Sequence, residues 1–556
     1  MPLTPRHAWA LALAGCLSLF GCDDDPDPTP DAGTPADAGT QSDAGTKPWD
    51  GNYTVLEERG DFTQDPGVFS PCTYTMQPGP VAVACHDPSR FNLDSCNRAS
   101  LATLPDDAIY RFQVRQEFTQ PDGSLRWSTF FNGVQLRSDG GPDTISGAPF
   151  TSKVKSGQDL FLTRESRLTD GRTNTVVYAG CETSMPGRFT GCYARCVDGA
   201  LFRSGTFEAH RMTWQDGETE SSGGLQRVSE TFVELGTPVD IYVAKDHAYV
   251  VSVPFSRAAR PGGLTVFDVK DRRNPVLKKV ISLPEDNYWN GVWAKGNALY
   301  VASDSSGVIV FDISNPSDPA FLRTVPSNSA GLNVHTVLVD GDRLYGMSPG
   351  PARDTLVFDV SDPLAPVLRQ RIAFPAGEFS DGPHDAFAYN GRLYINHTTE
   401  GLHVVDVGNL DDVKLLGTYP YANSYSHHNA VGTFAGRTIV FEGGENPGAR
   451  LRVLDATDPA KIVKIGEYTQ RPVTSIHNML LVGTRLYVAW YHEGVRVLDV
   501  SNPTKPTEVA HYNTFRETDP NRTDGTYEGA IGIRVPGDGY VYVVDTSRGL
   551  LIFNQL

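Results

Sequence analysis

Four histidines recur at one level of a repeating chain: His335 (NVHTVL), His384 (GPHDAF), His428 (SHHNAV) and His477 (SIHNML), separated by 49, 44 and 49 residues. Asp240 (PVDIYV) and Asn290 (YWNGVW) fall at the matching place before them, and Glu528 (YEGAIGI) after them. Imidazole is the commonest side-chain ligand for zinc, copper, nickel and iron, and a zinc ion needs ring nitrogens at about 2.0–2.1 Å. Convergence of His335, His384, His428 and His477 would hold one divalent transition metal. Asp385, Asn429 and Asn478 directly follow three of these histidines and could orient their rings, with Asp240, Glu528 and His427 as further polar groups at the same level. An ion with an open position would activate water, which is hydrolase or oxidoreductase chemistry. The same side chains equally suit a channel lined with polar groups and ordered water. No Gly-rich phosphate loop, nucleophile elbow or HExxH motif accompanies them, so no catalytic residue is assigned. His397, His403, His492 and His511 lie off this register and read as ordinary polar residues.

The elements that must position these residues are seven short β-strands of one pattern: Leu264–Asp268 (LTVFD), Val308–Asp312, Thr355–Asp359, Leu402–Asp406, Leu451–Asp455, Val495–Asp499 and Leu550–Asn554. They begin 44, 47, 47, 49, 44 and 55 residues apart, the period of a four-stranded propeller blade. A tight turn and second strand precede most of them (GNALYVA, GDRLYGM, GRLYINH, GTRLYVAW), and a proline turn follows (DISNPSDP, DVSDPLAP, DATDP, DVSNPTKP). Strand, aspartate and proline turn recurring together over residues 225 to 556 resemble the LVIVD repeat family, and the resemblance implies a β-propeller. The first and fourth copies depart at the turn (DVKDRRNP, DVGNLDDV). The last repeat ends at Leu556 without an outer strand, and LQRVSETFVEL, residues 225 to 235, has strand alternation but no blade of its own. Lending that strand to the last blade would seal a ring with no open edge, giving seven blades, with eight a poorer fit. The innermost strands then line the central channel, and the four histidines would meet at one mouth. The repeat aspartates read as a folding device, because a carboxylate at a strand end can accept from the amides of its own turn.

Residues 49 to 224 form a separate antiparallel β domain, barrel- or sandwich-like, so the fold class is all-β throughout. Hairpins there turn on Asp122-Gly123, Asp170-Gly171 and Asp198-Gly199, pairs that supply the positive φ of tight β-turns. The strand order resembles a lipocalin-like barrel, which implies an apolar ligand in its mouth; a disulfide-stapled spacer or interaction module is the plainer reading. Cys72, Cys85, Cys96, Cys181, Cys192 and Cys196 all fall in this domain, and no cysteine follows residue 200. An even set without CxxC spacing reads as disulfides formed outside the cytoplasm.

The first 21 residues pair a short basic start with the apolar run AWALALAGCLSLFG, a secretory signal too short to span a bilayer. Leu19-Phe20-Gly21-Cys22 resembles a bacterial lipobox, which implies a lipid on Cys22; Leu13-Ala14-Gly15-Cys16 fits that pattern too but leaves a short apolar region. Residues 22 to 48 repeat Asp-Ala-Gly-Thr and cannot offset their ordering entropy, so they read as an extended tether. A net charge of −18 argues against nucleic acid and anionic membrane surfaces as partners. The expectation is a monomeric lipoprotein of the bacterial cell envelope, outer membrane or surface, whose propeller binds a protein, glycan or small molecule as a scaffold. The rival is a metal-dependent hydrolase or oxidoreductase working at the histidine-lined channel.

Overall fold

The computed structural model describes residues 48–75, 84–255, 259–328, 332–375 and 381–556. The signal, both candidate lipidated cysteines and the tether lie outside them. Two compact units emerge: Gln64–Thr213 with Thr523–Thr526, and a larger one holding Trp214–Arg522, Tyr527–Leu556 and the segment that ends at Thr63. Among the described residues no helix is long and apolar enough to cross a membrane.

The smaller unit is a nine-stranded antiparallel sheet. Its two edge strands, Ala148–Pro149 and Ser152–Ser156, are separated by two residues of chain, which forces the sheet to curl into a half-barrel. The hairpins turn where Asp-Gly pairs stand: Gly123 and Gly171 have φ of 83° and 87°, and Asp198-Gly199 have 49° and 79°. Phe112, Tyr178, Phe189 and Phe207 pack edge-to-face and stacked in its core. Disulfides Cys72–Cys192, Cys85–Cys196 and Cys96–Cys181 staple the sheet to the segment before it. All six cysteines are thus paired, as expected of an oxidising compartment.

The larger unit is a seven-bladed propeller of four-stranded antiparallel sheets. Blades 1 to 6 run in chain order, with innermost strands Thr237–Ala244, Trp289–Lys295, Thr336–Asp340, Asp385–Tyr389, Ser426–Phe434 and Met479–Val482. Blade 7 takes Ala530–Arg534, Tyr540–Asp545 and Gly549–Asn554 from the C-terminus and Arg227–Thr231 as its outer strand. Each innermost strand contacts the next, and the seventh contacts the first, so the ring is closed.

The sequence pattern explains the burial. The inner three strands of a blade are covered on both faces by neighbouring sheets and read as nearly continuous apolar runs, such as AYVVSV at Ala248–Val253, all buried. The outer strands face water on one side and carry charge, as in VLKKVI at Val276–Ile281, which is mostly exposed. The repeat aspartates act within their turns: Asp268, Asp312, Asp359, Asp406, Asp455 and Asp499 each accept from the amide two residues on, at 2.7–3.0 Å.

Two segments outside the repeats pack on the disc. The chain before residue 64 lies on blade 5, where Leu56 donates its amide to the Lys464 carbonyl at 2.8 Å. There Glu58 and Asp61 meet the fully buried Arg452 guanidinium at 3.0 and 2.9 Å. Residues 218 to 220 lie on blade 6, where Glu218 pairs with the buried Arg496 at 2.7 Å.

Candidate metal centre

The cluster forms where the innermost strands of blades 3 to 6 open. His335 and His384 each immediately precede their strand, and their amides donate to Met347 and Asn396 carbonyls of the adjacent strand at 2.8 Å. His477 is held likewise through the Ala489 carbonyl at 3.0 Å. The rings pass in a chain: His335 to His384 at 4.2 Å between centroids, His384 to His427 at 4.3 Å, and His427 to His477 at 4.4 Å.

The third ring in this chain is His427, which the repeat register places in reserve, not His428. Blade 5 carries a β-bulge between Ser426 and His428, which leaves His427 unpaired in the ladder and aims its side chain among the other imidazoles. His428 follows the regular register instead, with its Nδ1 3.4 Å from the Met479 amide of the next blade. It stays close enough to disfavour a proton on His427 and His477.

Two carboxylates complete the group. Asp385, expected only to orient a histidine, puts Oδ2 3.6 Å from His384 Nδ1 and 3.8 Å from His427 Nδ1. Glu445, which no sequence pattern marks, sits just past the second strand of blade 5. Its oxygens lie 3.6 Å from His427 Nε2 and 3.7 Å from His477 Nε2. Tyr491, from the turn of blade 6, donates its hydroxyl to Glu445 Oε1 at 2.6 Å. It does so from a φ of 30°, a left-handed backbone that aromatic residues rarely adopt.

The other expected residues serve the scaffold. Asp240 accepts from the amides of Ile241 and Val292 at 2.5 and 2.8 Å, stitching blade 1 to blade 2. Asn290 lies against His335, 2.5 Å from Nδ1. Glu528 pairs with Arg522 at 3.2 Å and accepts from Thr546 at 2.9 Å. Asn429 donates to the Tyr394 carbonyl and to Asn396 at 3.0 and 2.5 Å. Asn478 is fully buried, and its amide has no hydrogen-bond partner.

The electrostatics suit a cation. His427 and His477 are fully buried, and His384, Asp385 and Glu445 are at most 4% exposed. Burial drives His427 well below the ordinary imidazole range and His477 down to about 3, so both rings are neutral at neutral pH. Burial, reinforced by the Asp385 charge, drives the Glu445 carboxyl well above its ordinary range. His477 Nδ1–H donates to the Ile531 carbonyl at 2.8 Å, which leaves the Nε2 lone pair facing Glu445. Nδ1 of His384 and both ring nitrogens of His427 are buried without a hydrogen-bond partner. Nitrogen–oxygen separations of 3.6–3.8 Å are too long for hydrogen bonds. They lie close to the ~3.4 Å that separates ligand atoms around a tetrahedral ion bound at about 2.1 Å. The residues therefore fit a transition-metal ion, with His384, His427 and Glu445 as donors whose ligand atoms lie within 4.8 Å of one another and His477 and Asp385 beside them.

The repeat match agrees with the architecture. The LVIVD repeat model matches residues 288–326 and 478–514, in blades 2 and 6. No curated protein matches the chain in sequence. Among solved structures, the WD40 propeller domain of Doa1 is similar at 13% identity, covering 60% of this chain and 98% of that one, with a TM-score of 0.43. A chain of a mitotic checkpoint complex gives 11%, 62%, 97% and 0.44 in the same order. The RRP9 WD40 repeats give 10%, 59%, 99% and 0.43. With the strand order and the repeat match together, the chain is a seven-bladed β-propeller that carries LVIVD repeats.

Proposed function

We propose that this protein is a binding propeller of the bacterial cell envelope, tethered by a lipid on Cys22, that holds one divalent transition-metal ion at its channel mouth. The observation that carries the metal reading is the His427 ring. It is fully buried, neither nitrogen has a hydrogen-bond partner, and each faces a carboxylate at 3.6–3.8 Å. A buried imidazole in that state forgoes two hydrogen bonds, and an ion bound to one ring nitrogen would recover one of them. Bound, the ion would supply a positive centre able to cross-link blades 4 to 6 and to polarise an oxygen or nitrogen group of a ligand.

Binding is favoured over turnover by enclosure. Closed sites with every donor buried are those that proteins use to hold ions, whereas catalytic ions keep an open position for water or substrate. Many short loops on a rigid disc form a recognition surface for a protein, glycan or small molecule. The envelope location is supported by the lipobox-like Leu19–Cys22, the tether after it and the three disulfides.

The test is metal content of the purified full-length chain by plasma mass spectrometry, beside a folded His384→Ala/His427→Ala variant. The variant is expected to carry one equivalent less. Equal content in both after re-addition of metal would leave the histidines as channel lining.

A further inference from the structure

Blade 4 carries a second constellation, outside the channel cluster. His397 follows the strand Arg392–Asn396, His403 lies within Leu402–Asp406, and Glu400 sits in the turn between them. Glu400 Oε2 is 3.6 Å from His397 Nδ1 and 3.7 Å from His403 Nε2. The three ligand atoms all fall within 4.8 Å of one another. The imidazoles are 3% and 4% exposed, while the Glu400 side chain is 23% exposed, so an ion can reach the group from solvent.

Blades 5 and 6 differ from blade 4 at one position of this group. Three residues before the repeat aspartate stands His403 in blade 4, but Arg452 in blade 5 and Arg496 in blade 6. Both arginines are buried and paired with carboxylates: Arg452 with Asp61 at 2.9 Å, and Arg496 with Glu218 at 2.7 Å and Glu493 at 3.5 Å. Glu493 occupies in its turn the place of Glu400. Blade 4 therefore keeps the carboxylate but replaces the guanidinium by an imidazole beyond hydrogen-bond reach.

Two imidazoles and one carboxylate are donors suited to a divalent transition ion. The turn is firmly held. Thr398, a β-branched residue at a φ of 42°, accepts from the Ser426 amide at 2.9 Å and donates its hydroxyl to the Gly382 carbonyl at 3.2 Å. The rings are stacked 4.4 Å apart and 13° from parallel, so binding requires one to tilt about its χ2 bond. We propose that His397, Glu400 and His403 form a second site for a divalent transition-metal ion, with donors separate from those of the channel cluster.

The experiment is equilibrium dialysis of the full-length chain against zinc, with bound metal counted by plasma mass spectrometry. Parent, His384→Ala/His427→Ala and His397→Ala/His403→Ala proteins are compared. The last is expected to lose one equivalent, and combining both pairs to lose two. If the channel reading fails, the first variant equals the parent while His397→Ala/His403→Ala still loses its equivalent. Parent stoichiometry retained in folded His397→Ala/His403→Ala overturns the second site. Should that variant not fold, Glu400→Gln, a near-isosteric change at a partly exposed side chain, is expected to weaken one equivalent by at least about tenfold. Unchanged zinc affinity in Glu400→Gln would then overturn it.

Discussion

Removing the hydroxyl of Tyr491 tests how the channel cluster is held. The 2.6 Å bond from Tyr491 to Glu445 Oε1 fixes the carboxyl that faces both His427 and His477. Tyr491→Phe keeps the ring, which packs 4.9 Å from His477, and deletes only this contact to the carboxylate. Partners that orient a ligand in this way are worth about 10–100-fold in metal affinity, or ~1.4–2.7 kcal/mol. In the metal-free protein the same change removes one buried hydrogen bond, costing about 1 kcal/mol of stability. The prediction is thus a loss of zinc affinity larger than the loss of stability, with one equivalent still bound at high zinc. Competition against a chelating dye measures the first quantity and urea denaturation the second. Glu445→Gln, which alters the proposed ligand itself, should weaken zinc more than Tyr491→Phe does. If Glu445→Gln binds zinc as the parent does, Glu445 is not a ligand and the reasoning fails at its root. If only Tyr491→Phe is silent, the tyrosine does not position the carboxylate.

Arg452→Met should destabilise the propeller by about 3–5 kcal/mol in urea denaturation, because it leaves Glu58, Asp61 and Glu442 facing one another without their buried cation. Acid should also weaken the fold. His477 is lowered from 6.5 to about 3 when folded, so the unfolded chain binds more protons between those values. Its contribution is fully present above pH 6.5 and is lost as pH falls toward 3, measurable as a falling urea midpoint, whereas His477→Gln should flatten that fall. Cys22→Ala should abolish incorporation of a labelled fatty acid in a bacterial host while Cys16→Ala leaves it intact; the reverse pattern would move the anchor to Cys16.

The propeller was legible because its information is periodic. The strand recurs at each blade and the aspartate in six of the seven, and the aspartates prove to bind their own turn amides as their recurrence demanded. Closure was legible from two half-statements, a last repeat without an outer strand and the stray strand near Arg227–Thr231 that supplies it. At the site, the register brings His335, His384 and His477 into one chain of rings, and His427 stands there in place of His428. A bulge shifts one residue without leaving a signature in the local sequence, since Ser426, His427 and His428 all suit a strand opening. Glu445 and Tyr491 were invisible for a different reason. They come from turns beyond the second strands of blades 5 and 6, where each blade has its own sequence and no period applies.

That contrast bears on where function sits in a repeated fold. A residue recurring in every blade meets a need that every blade has, such as turn formation or packing. A chemical site needs several unlike donors at one place, so it must arise where neighbouring blades differ. Both clusters obey this. The channel cluster joins a histidine from each of blades 3 to 6 to carboxylates that only blades 4 and 5 contribute, Asp385 and Glu445. The second cluster has His403 where blades 5 and 6 have arginine. The two also touch through the backbone: Thr398, between His397 and Glu400, accepts from Ser426, the residue before His427. An ion that tilts the His397 ring must strain or relax that turn, and its nearest rigid neighbour is the strand opening that carries the channel imidazole. Coupling between two sites is reciprocal. Occupancy of the blade 4 site should therefore shift zinc affinity at the channel, and His403→Arg, which removes a proposed ligand of blade 4, should fix the channel affinity at a single value.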